Sequence, residues 1–252
     1  MSLISLPFDE WMENVALAAL SSKETVYASY DIARLAIERG VPGDFVECGV
    51  YGGAQCAAMA RAIMDCASAS RDDASAFKGG PQWIKHYDRG EGARRVHLFD
   101  SFAGIPPAGP EDREFLEAGH PEGLSLCTLE ACKEHMAAWG IPDELLVWHP
   151  GPFGNTMNMQ MFVRKIDSLT MKACPAEIAV LRLDADLYDS TRVSLENLYP
   201  LVSPGGWVIC DDFDLSGARK AVMEHVGRNF GPLAVMEHVG RNFGPLYWRK
   251  GQ

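Results

Sequence analysis

Short apolar runs that alternate with helix-length stretches constrain this chain more than any other feature, and two of those runs end in aspartates. DFVECGV (44–50), RVHLFD (95–100), LLVWHPG (145–151), EIAVLRLDAD (177–186) and GWVICDD (206–212) read as strands. Strands that alternate with helices imply an α/β fold, with a parallel sheet and right-handed crossovers. Open sheets of this kind bind ligands at the carboxyl edge of the strands. Asp184, Asp211 and Asp212 would emerge there together if the last two runs are neighbours. Three hard oxygen ligands suit a Mg²⁺-class ion. The competing reading is that Asp211 and Asp212 cap a helix or turn.

The intervening helices are expected at 8–20, 24–39, 52–67, 124–140, 158–169 and 190–202. In the second, Val26, Tyr30, Ala33 and Ile37 share one face, and Gly40 and Pro42 stop it. Residues 66–94 are polar and irregular and read as an insertion or lid loop. Residues 101–124 are rich in Pro, Gly and acid and read as a long loop near the site. We expect a helical N-terminal extension over 1–42 and the main domain over 43–252.

A 252-residue chain is long enough for one large α/β core. Its net charge of −11 argues against nucleic acid as the main partner, because phosphate binding needs a basic surface. The seven cysteines form no CxxC pair and no zinc spacing, so buried free thiols in a reducing cytosol are the simplest reading. The first twenty residues have no basic start and read as an amphipathic helix rather than a signal peptide. No apolar run approaches membrane-spanning length, so a cytoplasmic location without a membrane partner is expected.

AVMEHVGRNFGPL occurs twice in tandem, at 221–233 and again at 234–246. It is not a solenoid, which needs at least three units. The first copy continues a helical pattern from Ser216, whereas the second must feed the final run LYWRK. We therefore expect helix in the first copy and a strand within 233–239, followed by a turn.

ECGVYGG (47–53) closes the first strand. Gly49 and Gly53 let the backbone turn tightly and approach a ligand. The next helix presents its N-terminal amides to the ligand's polar end, and Glu47 adds a carboxylate. A Gly-rich turn alone is weak evidence. It lacks the G-x-G-x-x-G spacing of dinucleotide folds and the Gly-Lys-Ser/Thr ending of a phosphate loop. Asp100, ending the second strand, is placed to hydrogen-bond ribose hydroxyls. His97 reads as structural, while His120 and His149 are loop candidates for a base or a substrate contact.

GVPGDFVECGVYGG, VHLFDSFAGIP, HPGPFGNT, LRLDADLYDST, LYPLVSPGGWVICDD and GARKAV together resemble the macrocin O-methyltransferase family. These are class I S-adenosylmethionine-dependent, Mg²⁺-dependent O-methyltransferases of antibiotic sugars. The resemblance runs from about Glu24 to Lys220. It implies a Rossmann-like, mostly parallel seven-stranded sheet with helices on both faces. It implies that Glu47, Gly49, Tyr51 and Gly53 border S-adenosylmethionine and that Asp100 and Ser101 hold its ribose. Asp184, Asp211 and Asp212 would bind Mg²⁺, with Asp184 also taking the proton of the acceptor hydroxyl. The implied reaction is metal-assisted methylation of a small hydroxylated acceptor, a sugar or glycosylated natural product, by a homo-oligomer. A catechol or other phenol is the alternative acceptor. The chain departs from the family at Tyr51, Pro152 and Asn155, around the cleft, which leaves the acceptor's identity open.

Overall fold

The computed structural model describes residues 3–72, 94–157, 175–229, 237–238 and 246–251. The expected helix at 158–169, most of the 66–94 segment and Cys174 lie outside them.

Two helices open the fold, α1 (Phe8–Ala16) and α2 (Lys23–Glu38). The first is shorter than the apolar pattern suggests. After Ala16 the chain turns, leaving Leu17 and Leu20 exposed. The second is capped by Ser22, whose Oγ accepts from the Thr25 amide. Then follow β1 (Asp44–Cys48), α3 (Ala54–Asp72) and β2 (Val96–Asp100). Helix α3 runs beyond the expected stop near residue 67, so the irregular reading of 66–72 is corrected. No Gly or Pro interrupts that stretch, and Ser68 satisfies its hydroxyl on the Met64 carbonyl within the helix.

The 101–124 loop contains a short helix, α4 (Arg113–Ala118), ended by Gly119 in the left-handed conformation. Its acids serve helix starts elsewhere. Asp112 accepts from the Tyr188 amide and Glu114 from the Ser216 amide. These bonds draw the loop across the carboxyl edge of the sheet. Next come α5 (Leu129–Trp139), β3 (Leu146–Pro150), α6 (Phe153–Thr156), β4 (Ile178–Leu183) and α7 (Tyr188–Leu198). The chain continues through β5 (Val202–Cys210), α8 (Ser216–Asn229), β6 (Glu237–His238) and β7 (Leu246–Arg249).

The seven strands among the described residues lie in the order β3-β2-β1-β4-β5-β7-β6. Pairing is parallel from β3 through β5, and β7 runs antiparallel to both of its neighbours. The order reverses between β1 and β4, which is the switch point where a doubly wound sheet opens a crevice. Two cores cover the faces. One holds Trp11, Val26, Phe45 and Met59, and the other Val46, Leu181, Leu195 and Val222. Alternate residues of β1 enter opposite cores, as the two-residue period of a strand requires.

The tandem copies adopt different backbones. Glu224 and His225 are helical, whereas Glu237 and His238, their counterparts in the second copy, pair antiparallel with Tyr247 and Leu246. Edge pairing decides the second copy's state, overriding a local sequence that also forms helix.

Candidate functional site

Three turns meet at the switch point. After β1, Gly49 (φ +86°) passes so close to β4 that a Cβ there would fall on the Asp184 carbonyl oxygen. Gly53 (φ +88°) packs against Met136 and Cys132. Between them Tyr51 holds a positive φ of 47° without being glycine. Asp100 pins this turn. Its Oδ2 accepts from the Val50 amide at 2.6 Å and the Tyr51 amide at 3.1 Å. Its Oδ1 accepts from the Phe102 amide at 2.7 Å. A carboxylate has about four acceptor directions, so Asp100 keeps room for one further donor.

Strand β4 brings a charge the sequence reading missed. Arg182 is fully buried and faces Glu47 across the β1–β4 pairing. Its Nε donates to Glu47 Oε1 at 3.0 Å, and its Nη2 reaches Asp184 Oδ2 at 3.0 Å and Asp211 Oδ1 at 2.8 Å. Residues two apart on a strand share a face, so Arg182 and Asp184 stack along β4 while Asp211 follows Ile209 on β5. The one signal in the sequence was an arginine inside the apolar run AVLRL.

Glu47 is sealed beneath this guanidinium, and Cys56 Sγ donates to its other oxygen at 2.7 Å. Burial, opposed by Arg182, pushes the Glu47 carboxyl up to about 7. Glu47 and Gly53 therefore support the site from below and do not line its cavity, contrary to the sequence expectation.

A cavity of about 500 Å³ lies above, and Gly49, Tyr51, Asp100, Ser101, Asp184, Asp211 and Asp212 all line it. Ser101 spends its hydroxyl on its own loop, donating to the Gly104 carbonyl and accepting from the Ala103 amide. Asp184, Asp211 and Asp212 each place an oxygen within 4.8 Å of the others, so the residues present fit a divalent cation. Burial and the neighbouring Asp211 carboxylate hold the Asp184 carboxyl well above its usual range. Burial, with Asp186 next, does the same to Asp212. Acids pushed toward protonation by one another mark a site short of positive charge.

Asp186 is the second residue missed. It lines the same cavity with φ +57°, and its amide donates to Asp212 Oδ2 at 2.9 Å. Its carboxyl makes no hydrogen bond among the described residues. Burial, then Asp211 and Asp100, raise it to about 6. In the sequence, Asp186 is the last residue of the run EIAVLRLDAD read as a strand, and nothing local marks it as a cavity residue.

The loop histidines are corrected. His149 lies in β3, buried, stacked on Phe99 and 2.9 Å from His97, whose other nitrogen meets Asp44. His120 is exposed and packs edge-on against Phe115. Neither lines the cavity.

Residues 84–250 match the family model described as macrocin-O-methyltransferase (TylF). An 8-demethyl-8-(2,3-dimethoxy-α-L-rhamnosyl)-tetracenomycin-C 4′-O-methyltransferase of Streptomyces olivaceus is 34% identical over 75% of this chain and 60% of its own. A mycinamicin III 3″-O-methyltransferase of Micromonospora griseorubida is 32% identical over 77% of this chain and 64% of its own. The chain thus spans about three fifths of the length of these curated relatives. The solved O-methyltransferase NovP superposes with a TM-score of 0.70 at 26% identity, over 93% of this chain and 83% of the other.

Proposed function

The chain belongs to the macrocin-O-methyltransferase family, and from that premise we propose that it methylates a sugar hydroxyl of a glycosylated natural product. The single observation that carries this reading is the convergence of Asp184, Asp211 and Asp212 beside the Gly49 turn on one cavity. In this reading S-adenosylmethionine supplies an electrophilic methyl sulfonium, and a divalent cation supplies the Lewis acidity that lowers the acceptor hydroxyl's pKa.

The protein's own groups divide the remaining work. The start of α3 would offer its first backbone amides to the cofactor's carboxylate end, since the Gly49, Val50 and Tyr51 amides already have acceptors. Asp100, with one acceptor direction left, takes a ribose hydroxyl. Asp184, Asp211 and Asp212 hold the cation. We place the acceptor's proton on Asp186 rather than on Asp184, which revises the role the resemblance implied. One Asp184 oxygen is held by Arg182 and its carboxylate would also be needed to hold the cation, whereas the Asp186 carboxyl makes no hydrogen bond among the described residues and is raised to about 6. Holding two substrates in line supplies much of the remaining acceleration.

Two relatives named for glycosylated antibiotics favour a sugar over a phenol as acceptor. Tyr51 and Pro152, the departures that line the cavity, sit where they would select it. The cytoplasmic location and the homo-oligomer remain part of the same proposal. Among the described residues no helix is long and apolar enough to cross a membrane. Exposed Leu17 offers apolar surface for a second copy to cover, while exposed Leu20 lines the cavity itself.

The test is to incubate the protein with S-adenosylmethionine, Mg²⁺ and a demethyl glycoside and to measure S-adenosylhomocysteine release. We expect turnover that EDTA abolishes and Mg²⁺ restores. Failure to bind S-adenosylhomocysteine by calorimetry would sink the assignment, and full turnover in EDTA would remove the metal from it.

A further inference from the structure

Each of the three clustered aspartates has one oxygen already held by a protein N–H. Arg182 Nη2 holds Asp184 Oδ2 at 3.0 Å and Asp211 Oδ1 at 2.8 Å. The Asp186 amide holds Asp212 Oδ2 at 2.9 Å. No described residue hydrogen-bonds the second oxygen of any of them. Exposure separates the layers. The Arg182 and Glu47 side chains are 1% and 0% exposed, while Asp184 and Asp211 keep 24% and 13% toward the cavity.

Arg182 is fixed from below. Glu47 grips its Nε from the neighbouring strand, and a guanidinium does not deprotonate in a protein. Its hydrogen bonds to the two aspartates are therefore permanent features of the sheet rather than stand-ins for solvent. They bear on how the cluster can hold a cation. Ca²⁺ takes six to eight oxygens and readily accepts both oxygens of one carboxylate, whereas Mg²⁺ requires six in a near-ideal octahedron.

We propose that Arg182 is a positioning residue that engages one oxygen of Asp184 and one of Asp211 and so presents their other oxygens to the cavity, which biases the site toward a small six-coordinate cation over Ca²⁺. The Asp186 amide engages one oxygen of Asp212 in the same way. Asp184, Asp211 and Asp212 would then each offer one oxygen, and the rest of a six-coordinate shell would be left to water or to acceptor hydroxyls. The inference rests on the metal reading above and extends it to the identity and geometry of the ion.

Calorimetric titration of Mg²⁺, Mn²⁺ and Ca²⁺ into the full chain, with S-adenosylhomocysteine present, tests it without reference to turnover. We expect the unaltered protein to prefer Mg²⁺ or Mn²⁺ over Ca²⁺. Arg182→Lys keeps the charge, but a single ammonium does not reproduce the planar group that holds Glu47 through Nε and the two aspartates through Nη2 at once. That variant should lose about tenfold or more of the preference, the scale on which groups orienting metal ligands act. Because a buried arginine is altered, circular dichroism checks the fold, and a second measurement uses the unaltered chain. Water-proton relaxation of the Mn²⁺ form should count about three bound waters, the remainder of an octahedron after three carboxylate oxygens. Unchanged selectivity in folded Arg182→Lys, or at most one bound water, overturns the inference alone. Absence of binding by all three cations overturns the metal reading and the inference together.

Discussion

Asp186 and Glu47 show how two carboxyls raised by burial take different work. Asp186 lines the cavity and makes no side-chain hydrogen bond among the described residues. Asp186→Asn keeps the size and the backbone amide bond to Asp212 but removes the proton acceptor. We expect kcat to fall roughly 10²- to 10⁴-fold, the usual range for general-base loss, with S-adenosylhomocysteine affinity unchanged by calorimetry. A variant within twofold of the parent's kcat returns the proton to Asp184. Glu47 is out of reach of substrate, and its effect is on stability. Its folded value of about 7 exceeds its ordinary 4.5. The folded state therefore binds the extra proton, and stability from this group is full below about 4.5 and lost as pH rises through about 7. The loss amounts to roughly 3 kcal/mol. Glu47→Gln should remove that part of the decline in urea titrations of metal-free protein between pH 4.5 and 7.5. Parallel stability profiles for parent and variant would show that Glu47 is not the group titrating.

At the scale of elements, the end of β2 holds the turn after β1. Asp100 accepts three backbone amides, from Val50, Tyr51 and Phe102. Asp100→Ala should thus do two things at once. Cofactor affinity should fall by about 1.5–3 kcal/mol through loss of a charged acceptor, and the Val50 and Tyr51 amides should exchange faster without any cofactor present. A drop in affinity with unchanged exchange would make Asp100 a pure ligand contact. The repeated segment makes the other element-scale case. Among the described residues, strand β6 pairs through Glu237 and His238, at the sheet edge. Removing one 13-residue copy leaves β7 its pairing with β5 and leaves every site residue in place. We expect the shortened chain to fold and to bind S-adenosylhomocysteine within about twofold of the parent, since no described residue of either copy lines the cavity. A chain that no longer folds would show that the edge hairpin is needed to cover β7.

For the molecule as a whole, a cavity rimmed by Asp100, Asp184, Asp186, Asp211 and Asp212 concentrates negative charge in the folded state. Ligands that occupy that cavity bind the folded form only, and a divalent cation also supplies positive charge there. At a hundred times its dissociation constant, S-adenosylhomocysteine should stabilise the chain by about 2.7 kcal/mol, and Mg²⁺ should add to that shift. Differential scanning fluorimetry reads both, and a Mg²⁺ shift that persists in Asp211→Ala would place the ion elsewhere.

The sequence alone determined the order of the parallel strands, the longer helices among the described residues, the carboxyl-edge aspartates and the Gly49 turn after β1. All are local in origin. Strand period, helix stops and left-handed backbone leave their marks within a few residues, and the six ordered blocks tied them to a family. The split fate of the tandem copies was legible too, because their neighbours differ. What only the tertiary structure decided was the underside of the site. Glu47 belongs to Arg182, and Arg182 to Asp184 and Asp211, through contacts between strands far apart in the chain. A buried ion network has no periodicity, so one arginine in an apolar run was its entire trace. The placing of His149 in the core and of Asp186 at the cavity depended likewise on cross-strand packing and on a strained turn. Which carboxylates face solvent and which are sealed is settled by burial, and burial is a property of the assembled sheet.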